Sequence, residues 1–241
     1  DQKKIRITKV VLENANFLFQ REDLSFFNKV LSQKFSKKKL IIKKSKLFYK
    51  DAKDETVAIV PISRLDLNYN IRNLLNKIKA EGKLFNHPFS LNWEKNFDKR
   101  KETTTNLRIK NLNLDIKNIS ENLKKKLKGT NNITLGNAKI QSDYTFEEGK
   151  FNFSSLNSSL LNNKLNYSGQ IRFSPFNFKL DIDLDKMNLN SIIKNKNIIE
   201  NLFLSDLLFN KNLSSKITLT SGKIIKNKLF DNLKIIMAFQ N

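Results

Sequence analysis

The sequence predicts a mostly β protein, and two patterns carry that prediction. The first is alternation, because polar residues stand between apolar ones in the stretch 165–189. The apolar residues of its clearest segment are Phe176, Phe178, Leu180, Ile182 and Leu184. A period of two is typical of a strand with one buried and one solvated face. The second is repetition, since similar segments recur along the chain and predict roughly twelve to fifteen strands with two or three short helices.

In chain order, alternating segments predict strands at 3–20, 40–49, 56–62, 65–71, 89–93, 107–116, 133–135, 138–146, 151–153, 156–161, 164–173, 176–184, 216–220 and 229–239. The first is interrupted at Glu13-Asn14. The alternation changes parity at Lys110–Asn111, which predicts a β-bulge. Gly169 and Ser174–Pro175 predict a bend or bulge, because proline cannot donate to a sheet ladder.

Four segments are candidates for helix. Residues 21–33 predict either a helical turn or a loop, and residues 73–80 a single helical turn. Residues 120–127 begin with Ser120 as an N-cap and are followed by Gly129, which predicts a short helix. Residues 189–209 carry apolar side chains at helical spacing and are the strongest candidate.

The 241 residues contain no Pro- or Gly-rich linker, which predicts one continuous architecture over 1–241 with a soft division near 118–131. About fourteen strands spaced about 4.8 Å apart would form a sheet roughly 65 Å long. Such a sheet must curl, split or close, so its apolar side must be hidden by curling, by packing or by a ligand. No segment is apolar enough for a membrane-spanning helix, so any membrane anchor is expected outside this segment.

The formal net charge is +22, which invites a nucleic-acid interpretation. The chain also has 34 Asn and only 6 Ala, a bias that AT-rich codons produce and that raises the lysine content by itself. Apolar aromatic residues alternate with the lysines, whereas nucleic-acid binding needs both on one exposed surface. Nucleic acid is therefore an unfavoured partner.

Catalytic and metal-binding signatures are missing from the sequence. It has no Cys, one histidine (His87, before a proline) and six glycines, with no phosphate-binding loop or nucleophile motif. Asp181, Asp183 and Asp185 resemble the start of a calcium loop but lack its glycine, and they fit the solvated side of a strand. We expect no enzyme activity, no cofactor and no metal.

Alternating Phe, Leu and Ile admit two interpretations. A sheet that curls without closing would present an apolar trough suited to acyl chains. A sandwich or barrel would bury the same residues against each other, as in a structural or adhesive β-repeat protein with a dry core. Alternation alone does not separate the two.

The segment KLNYSGQIRFSPFNFKLDIDLDKMNL resembles the signature of AsmA-like proteins, in which a Ser-Gly strand leads to a "PF" strand and an acidic, Leu-rich strand. The C-terminal NKNLSSKITLTSGKIIKNKLFDNLKIIMAF, the upstream LIIKKSKLFYKDAKDETVAIVPISRLDLNYN and GKLFNHPFSLNW are similar to further parts of that family. AsmA-like proteins, with TamB- and YhdP-like members, are similar in design to bridge-like lipid transfer proteins.

The resemblance implies an elongated, strongly curled antiparallel sheet that forms an open apolar groove. It implies a periplasmic protein with an inner-membrane anchor, and transfer of phospholipid acyl chains toward the outer membrane or its assembly. The expected groove-lining residues are Phe89, Leu91, Trp93, Phe176, Phe178, Leu180, Ile182, Leu184, Leu233, Ile235 and Met237. The expected contacts to anionic headgroups are Lys34, Lys37, Lys38, Lys39, Lys43, Lys44 and Lys46.

Overall fold

The computed structural model describes residues 8–20, 22–50, 56–84, 86–98, 101–123, 126–160, 163–173, 176–188, 214–225 and 231–239. Most of them lie in β-strands, so the prediction of a mostly β protein with few helices is confirmed. The chain divides into two compact units, Asp1–Glu121 and Asn122–Asn241. No helix in these ranges is long and apolar enough to cross a bilayer.

The first unit is a sheet built mainly by adding each strand beside the previous one. Its strands are β1 (Lys9–Glu13), β2 (Asn16–Phe19), β3 (Lys39–Lys50), β4 (Thr56–Asn70), β5 (Leu75–Leu84), β6 (His87–Asn96), β7 (Glu102–Ile109) and β8 (Leu114–Leu123), at whose end the boundary falls. From β3 to β8 each strand pairs antiparallel with the next. Strands β1 and β2 both pair parallel with β3, on its two halves.

The second unit repeats this plan. Its strands are β9 (Lys126–Leu135), β10 (Ala138–Glu147), β11 (Lys150–Ser155), β12 (Ser158–Leu160), β13 (Asn163–Phe173), β14 (Phe176–Leu184), β15 (Ser214–Ser221) and β16 (Leu233–Phe239). Strands β9, β10, β11, β13 and β14 pair antiparallel in that order, and β12 joins β10 to β13. Strand β15 is parallel to β14 and antiparallel to β16.

The predicted strand pattern differs from the structure in the direction of some strand pairs and in the positions where strands break. The sheet is mixed and not purely antiparallel, because β1 and β2 run parallel to β3, and β15 runs parallel to β14. The segments 56–62 and 65–71 form one strand, β4, whose register with β5 shifts between Ile62 and Arg64. The bulge inserts one extra residue into β4, which accounts for the change of parity between the two alternating segments.

Two helix predictions are wrong. Residues 73–80 belong to a turn and to β5, and the left-handed φ of 51° at Leu74 belongs to the turn that precedes this strand. Of the segment 120–127, residues 120–123 end β8 and residues 126–127 begin β9, and Ser120 pairs with Thr103 instead of capping a helix. In both places ladder hydrogen bonds outweigh the weak helical propensity of a short segment.

The helical alternative for 21–33 is confirmed, because α1 (Asp23–Ser32) occupies most of that segment. The predicted bulge at Lys110–Asn111 is wrong, since these residues form a 3₁₀ turn of the hairpin between β7 and β8. Gly169 is not a bulge either, because its pairing with Leu180 continues without a shift of register. The predicted helix at 189–209 and the Ser174–Pro175 bend lie outside the described residues.

Candidate functional site

In the second unit, alternate residues of successive strands come into register and form rows across the sheet. Residues that pair in register share a face, so each row lies on one side. The central row is Gly129, Tyr144, Phe153, Gly169, Leu180, Ile217 and Met237. The rows beside it contain Leu127, Phe146, Phe151, Ile171 and Phe178, and Tyr167, Ile182, Leu219 and Ile235. We call this side the second apolar face.

The opposite side of the same strands is polar. The Lys179 Nζ forms an ion pair with the Asp181 carboxylate at 3.4 Å. The Thr220 hydroxyl donates a hydrogen bond to the Asp183 carboxylate at 2.8 Å. The aspartates of β14 thus belong to a solvated strand side. Among the residues that the structure describes, no three acidic, His or Cys side chains are placed to hold a metal ion.

Large side chains on the second apolar face are mostly half-buried. Tyr144 and Leu184 are buried, but Phe153, Leu180 and Met237 are not. Aromatic rings run across this face with centroid separations of 5.2 Å (Tyr144–Phe151), 5.8 Å (Phe151–Phe153) and 6.2 Å (Phe153–Tyr167). In a sandwich, a facing sheet would bury such a row. This face therefore retains accessible apolar surface.

One end of the second apolar face is closed by a small core. Leu184, Met187 and Ile224 are buried together, and Leu165 and Leu233 pack against them. Met187 and Ile224 form an isolated parallel bridge just beyond β14 and β15. The rows therefore end in a buried apolar cluster at this end of the second apolar face.

The first unit carries an equivalent surface, which we call the first apolar face. Its rows are Ile42, Leu65, Ala80, Leu91, Leu107 and Ile116, then Leu40, Leu67, Ile78 and Trp93, then Gly82, Phe89, Ile109 and Leu114. Ile42, Ala80 and Ile109 are buried, whereas Phe89, Leu91 and Trp93 are half-buried. The aromatic and leucine side chains of β6 thus contribute partly accessible apolar surface.

Glycines on both apolar faces lie opposite aromatic residues of the neighbouring strand. The register pairs Gly82 with Phe89, Gly129 with Tyr144, and Gly169 with Phe153. A Cβ atom at position 169 would overlap the Phe153 ring and lie 2.6 Å from the Lys179 carbonyl oxygen. The missing side chain therefore makes room for the ring on the face of the sheet.

A segment that follows α1 crosses the first apolar face and is fixed there by a buried amide. The Asn76 side chain is 0% exposed. Its oxygen accepts a hydrogen bond from the Phe35 N–H at 2.8 Å, and its nitrogen donates to the Gln33 carbonyl at 2.6 Å. The Phe35 ring stacks on Trp93 with centroids 6.1 Å apart. Through these contacts, the segment 33–36 covers one end of the first apolar face.

The seven lysines expected to meet headgroups have different surroundings in the structure. Lys39 pairs with Asp66 at 3.2 Å and Lys43 with Glu13 at 3.6 Å, on the polar side of the sheet. Lys34 lies 5.7 Å above the Tyr69 ring, beside the crossing segment. The remaining four are exposed: Lys37, Lys38, Lys44 and Lys46.

Among the described residues of the first unit, Asp66 and Lys95 have shifted pKa values. Burial alone would raise the pKa of the Asp66 carboxyl, but hydrogen bonds and charge from Arg64 and Lys39 lower it below its ordinary value of 3.8. Lys95 shares a row with Asn76, and burial lowers the pKa of its ammonium group. Its Nζ lies 5.6 Å from the centroid of the Phe97 ring.

Replacing Asp66, whose side chain is 13% exposed, should destabilise the first unit in a pH-dependent way. We expect Asp66→Asn to lower the free energy of unfolding at neutral pH by about 1 kcal/mol, because its two cationic partners are themselves largely exposed. The lowered pKa means that this stabilisation is complete well above 3.8 and is lost as the pH falls through the lower, folded-state value. Urea unfolding of both proteins across this range measures the difference.

The exposed Arg108–Asp115 pair offers a matched control, and Asp115→Asn should change stability little. If Asp66→Asn remained less stable than wild type by the same free energy at the lowest pH, the stabilising role assigned to the ionised Asp66 carboxylate would be contradicted.

Most predicted groove residues fall on the two apolar faces. Phe89, Leu91 and Trp93 lie on the first, and Leu180, Ile182, Leu184, Leu233, Ile235 and Met237 lie on the second with Phe178. Phe176 pairs with Phe173 through the backbone. The prediction missed Tyr144, Phe151 and Phe153, although their alternation in the sequence could have found them. Asn76 and the crossing segment give no comparable signal.

Comparison of the chain with protein-family models, with characterised proteins and with solved structures returned no match. The resemblance to AsmA-like proteins accordingly stays a prediction.

Proposed function

We propose that this chain is a non-enzymatic lipid-binding protein that shields acyl chains on the apolar faces of its sheet. The observation that carries the proposal is the set of half-buried rows, above all Phe153, Leu180 and Met237 with their neighbours. Each CH₂ group that leaves water for such a surface gains about 0.8 kcal/mol, so acyl chains would partition there while headgroups stay hydrated.

The setting of this activity follows from the sequence resemblance. We propose a periplasmic location, an inner-membrane anchor outside this segment, and a role in moving phospholipid toward the outer membrane or in its assembly. The segregation of the two sides of β14 fits this role, because Leu180 and Ile182 would meet lipid while Asp181 and Asp183 meet water.

Lipid carried through purification tests the proposal. We expect phospholipid in organic extracts of the purified chain, measured by mass spectrometry. Leu180→Lys should lower the bound lipid several-fold, because a charge would then stand in the central row of the second apolar face. Thr218→Lys is the matched control, since Thr218 pairs with Asp181 on the polar side, and it should retain the lipid.

A folded, lipid-free wild-type chain would contradict lipid binding and favour the structural β-repeat protein. Equal lipid in wild type and in both variants would show that the second apolar face is not the binding surface. Circular dichroism of each variant establishes that the strands remain folded.

A further inference from the structure

The helix α1 displays two phenylalanines at the surface of the first unit. The Phe26 side chain is 62% exposed and that of Phe27 is 43% exposed. Their rings meet edge to face with centroids 5.8 Å apart, and the Phe27 ring also meets Phe19 at 4.9 Å. Val30 and Leu31 on the same helical stripe are half-buried, so the stripe is packed at its C-terminal end and open at Phe26.

The helix begins with two acidic residues, Glu22 and Asp23, and the sequence after them is basic. Between Leu24 and Lys50 there is no acidic residue and there are nine lysines. They are Lys29, Lys34, Lys37, Lys38, Lys39, Lys43, Lys44, Lys46 and Lys50. Two of them, Lys39 and Lys43, are paired with acidic residues of other strands. Lys29, three residues after Phe26, and Lys34, Lys37 and Lys38 after the helix are exposed.

We propose that α1 and the segment 33–38 dock the protein on an anionic lipid bilayer. Phe26 inserts between the lipids near the headgroup boundary, and Lys29, Lys34, Lys37 and Lys38 bind lipid phosphates. Helices that lie in the membrane interface combine these two features, an apolar side with aromatic residues and a lysine-rich flank. Two rings packed edge to face offer no flat platform on which successive nucleic-acid bases could stack. Insertion among lipids does not require such a platform.

This inference goes beyond the proposed function and stands on different residues. Phe19, against which Phe27 packs, pairs with Tyr49 of β3 on the side of the first apolar face. Docking through α1 would therefore bring one end of that face to the bilayer. Docking needs no lipid on the sheet, so the two proposals succeed or fail separately.

Co-sedimentation with vesicles tests the docking. The wild-type chain should bind vesicles of equal parts phosphatidylcholine and phosphatidylglycerol, bind pure phosphatidylcholine weakly, and lose binding as salt is raised. Phe26→Ser should weaken binding roughly tenfold, and each Lys→Gln change at positions 34, 37 or 38 about fivefold. Two substitutions in the second unit are the matched controls, and both should bind vesicles as the wild type does. They are Ile236→Ser, whose native side chain is 53% exposed, and Lys139→Gln, whose native lysine is exposed.

Insertion is measured with Phe26→Trp against Ile236→Trp, which share the native Trp93 background. Brominated acyl chains should quench fluorescence more in the first variant than in the second. Absent vesicle binding, or equal losses in the variants and their controls, would overturn the proposal. So would a Phe26→Ser effect seen only on self-association or on oligonucleotide binding. Leu180→Lys should leave docking unchanged while lowering bound lipid, which separates failure of one proposal from failure of the other.

Discussion

Asn76→Ala should lower the free energy of unfolding of the first unit by about 2–4 kcal/mol. The substitution removes both hydrogen bonds that hold the crossing segment, and it leaves the Phe35 N–H and the Gln33 carbonyl without their partner. A buried polar group that loses its partner costs about 1–3 kcal/mol. Phe35 is half-buried and Gln33 is exposed, so each of the two lost hydrogen bonds should cost about 1–2 kcal/mol, in the lower part of that range. The chain has a single tryptophan, Trp93, which stacks on Phe35. Its fluorescence during urea unfolding therefore reports the loss directly.

Asn92→Ala is the control, because Asn92 lies one strand away, on the opposite face, and is exposed. It should shift the unfolding midpoint only slightly. In native buffer, Asn76→Ala should also make Trp93 more accessible to acrylamide, since the crossing segment is released. A variant with wild-type stability and wild-type quenching would show that Asn76 does not fix the segment.

Gly169→Ala should destabilise the second unit by roughly 2–4 kcal/mol. The new methyl group would overlap the Phe153 ring and lie 2.6 Å from the backbone oxygen of Lys179. The ring can turn away only by leaving its place between Phe151 and Tyr167. The carbonyl oxygen can yield only by distorting the pairing of β13 with β14, and such overpacking of an ordered site costs several kcal/mol at most. Thermal unfolding followed by circular dichroism measures the change.

Gly222→Ala provides the comparison for this substitution. Its Cβ would meet the Asp185 carbonyl oxygen at 3.6 Å, an ordinary contact, so its melting temperature should stay near that of wild type. Equal melting temperatures for both variants would mean that the position of the Phe153 ring does not require glycine at position 169. If the proposed function holds, Gly169→Ala should also lower bound lipid, because a displaced Phe153 disrupts the central row.

The two sides of the sheet could be predicted well from the sequence. Alternation along β14 placed Leu180 and Ile182 on one face and Asp181 and Asp183 on the other, and the registers with β13 and β15 confirm this assignment. The reason is physical: a strand turns successive side chains to opposite sides, so the pattern needs no knowledge of the neighbours.

Pairing direction and short local elements could not be predicted in the same way. Residues 120–127 carry the cap and stop signals of a helix. Residues 120–123 nevertheless end β8 and residues 126–127 begin β9, because adjacent strands offer the backbone partners that a two-turn helix cannot match. The parallel pairing of β14 with β15 depends on the intervening chain, about which alternation carries no information.

The Asn76 site shows a third limit. A buried asparagine in a strand looks like any other polar residue of the alternation, and its partners Gln33 and Phe35 precede it by 43 and 41 positions. The pairing of glycines with aromatic residues is similar, because it depends on register between strands. Such contacts are set by tertiary structure and leave no local pattern.

The strand order also determines how the chain can fold. Most ladders join consecutive strands, so β4 to β8 and β9 to β11 can add one hairpin at a time, each closing a short loop soon after it is made. The parallel ladders are different: β1 and β2 pair with residues of β3 that lie 30 positions later, and in the second unit Asp183 of β14 pairs with Thr220 of β15, 37 positions later. Closing this longer loop costs more entropy, so we expect β15 and β16 to join the second unit last. The C-terminal strands would then be the part of the second unit that opens first.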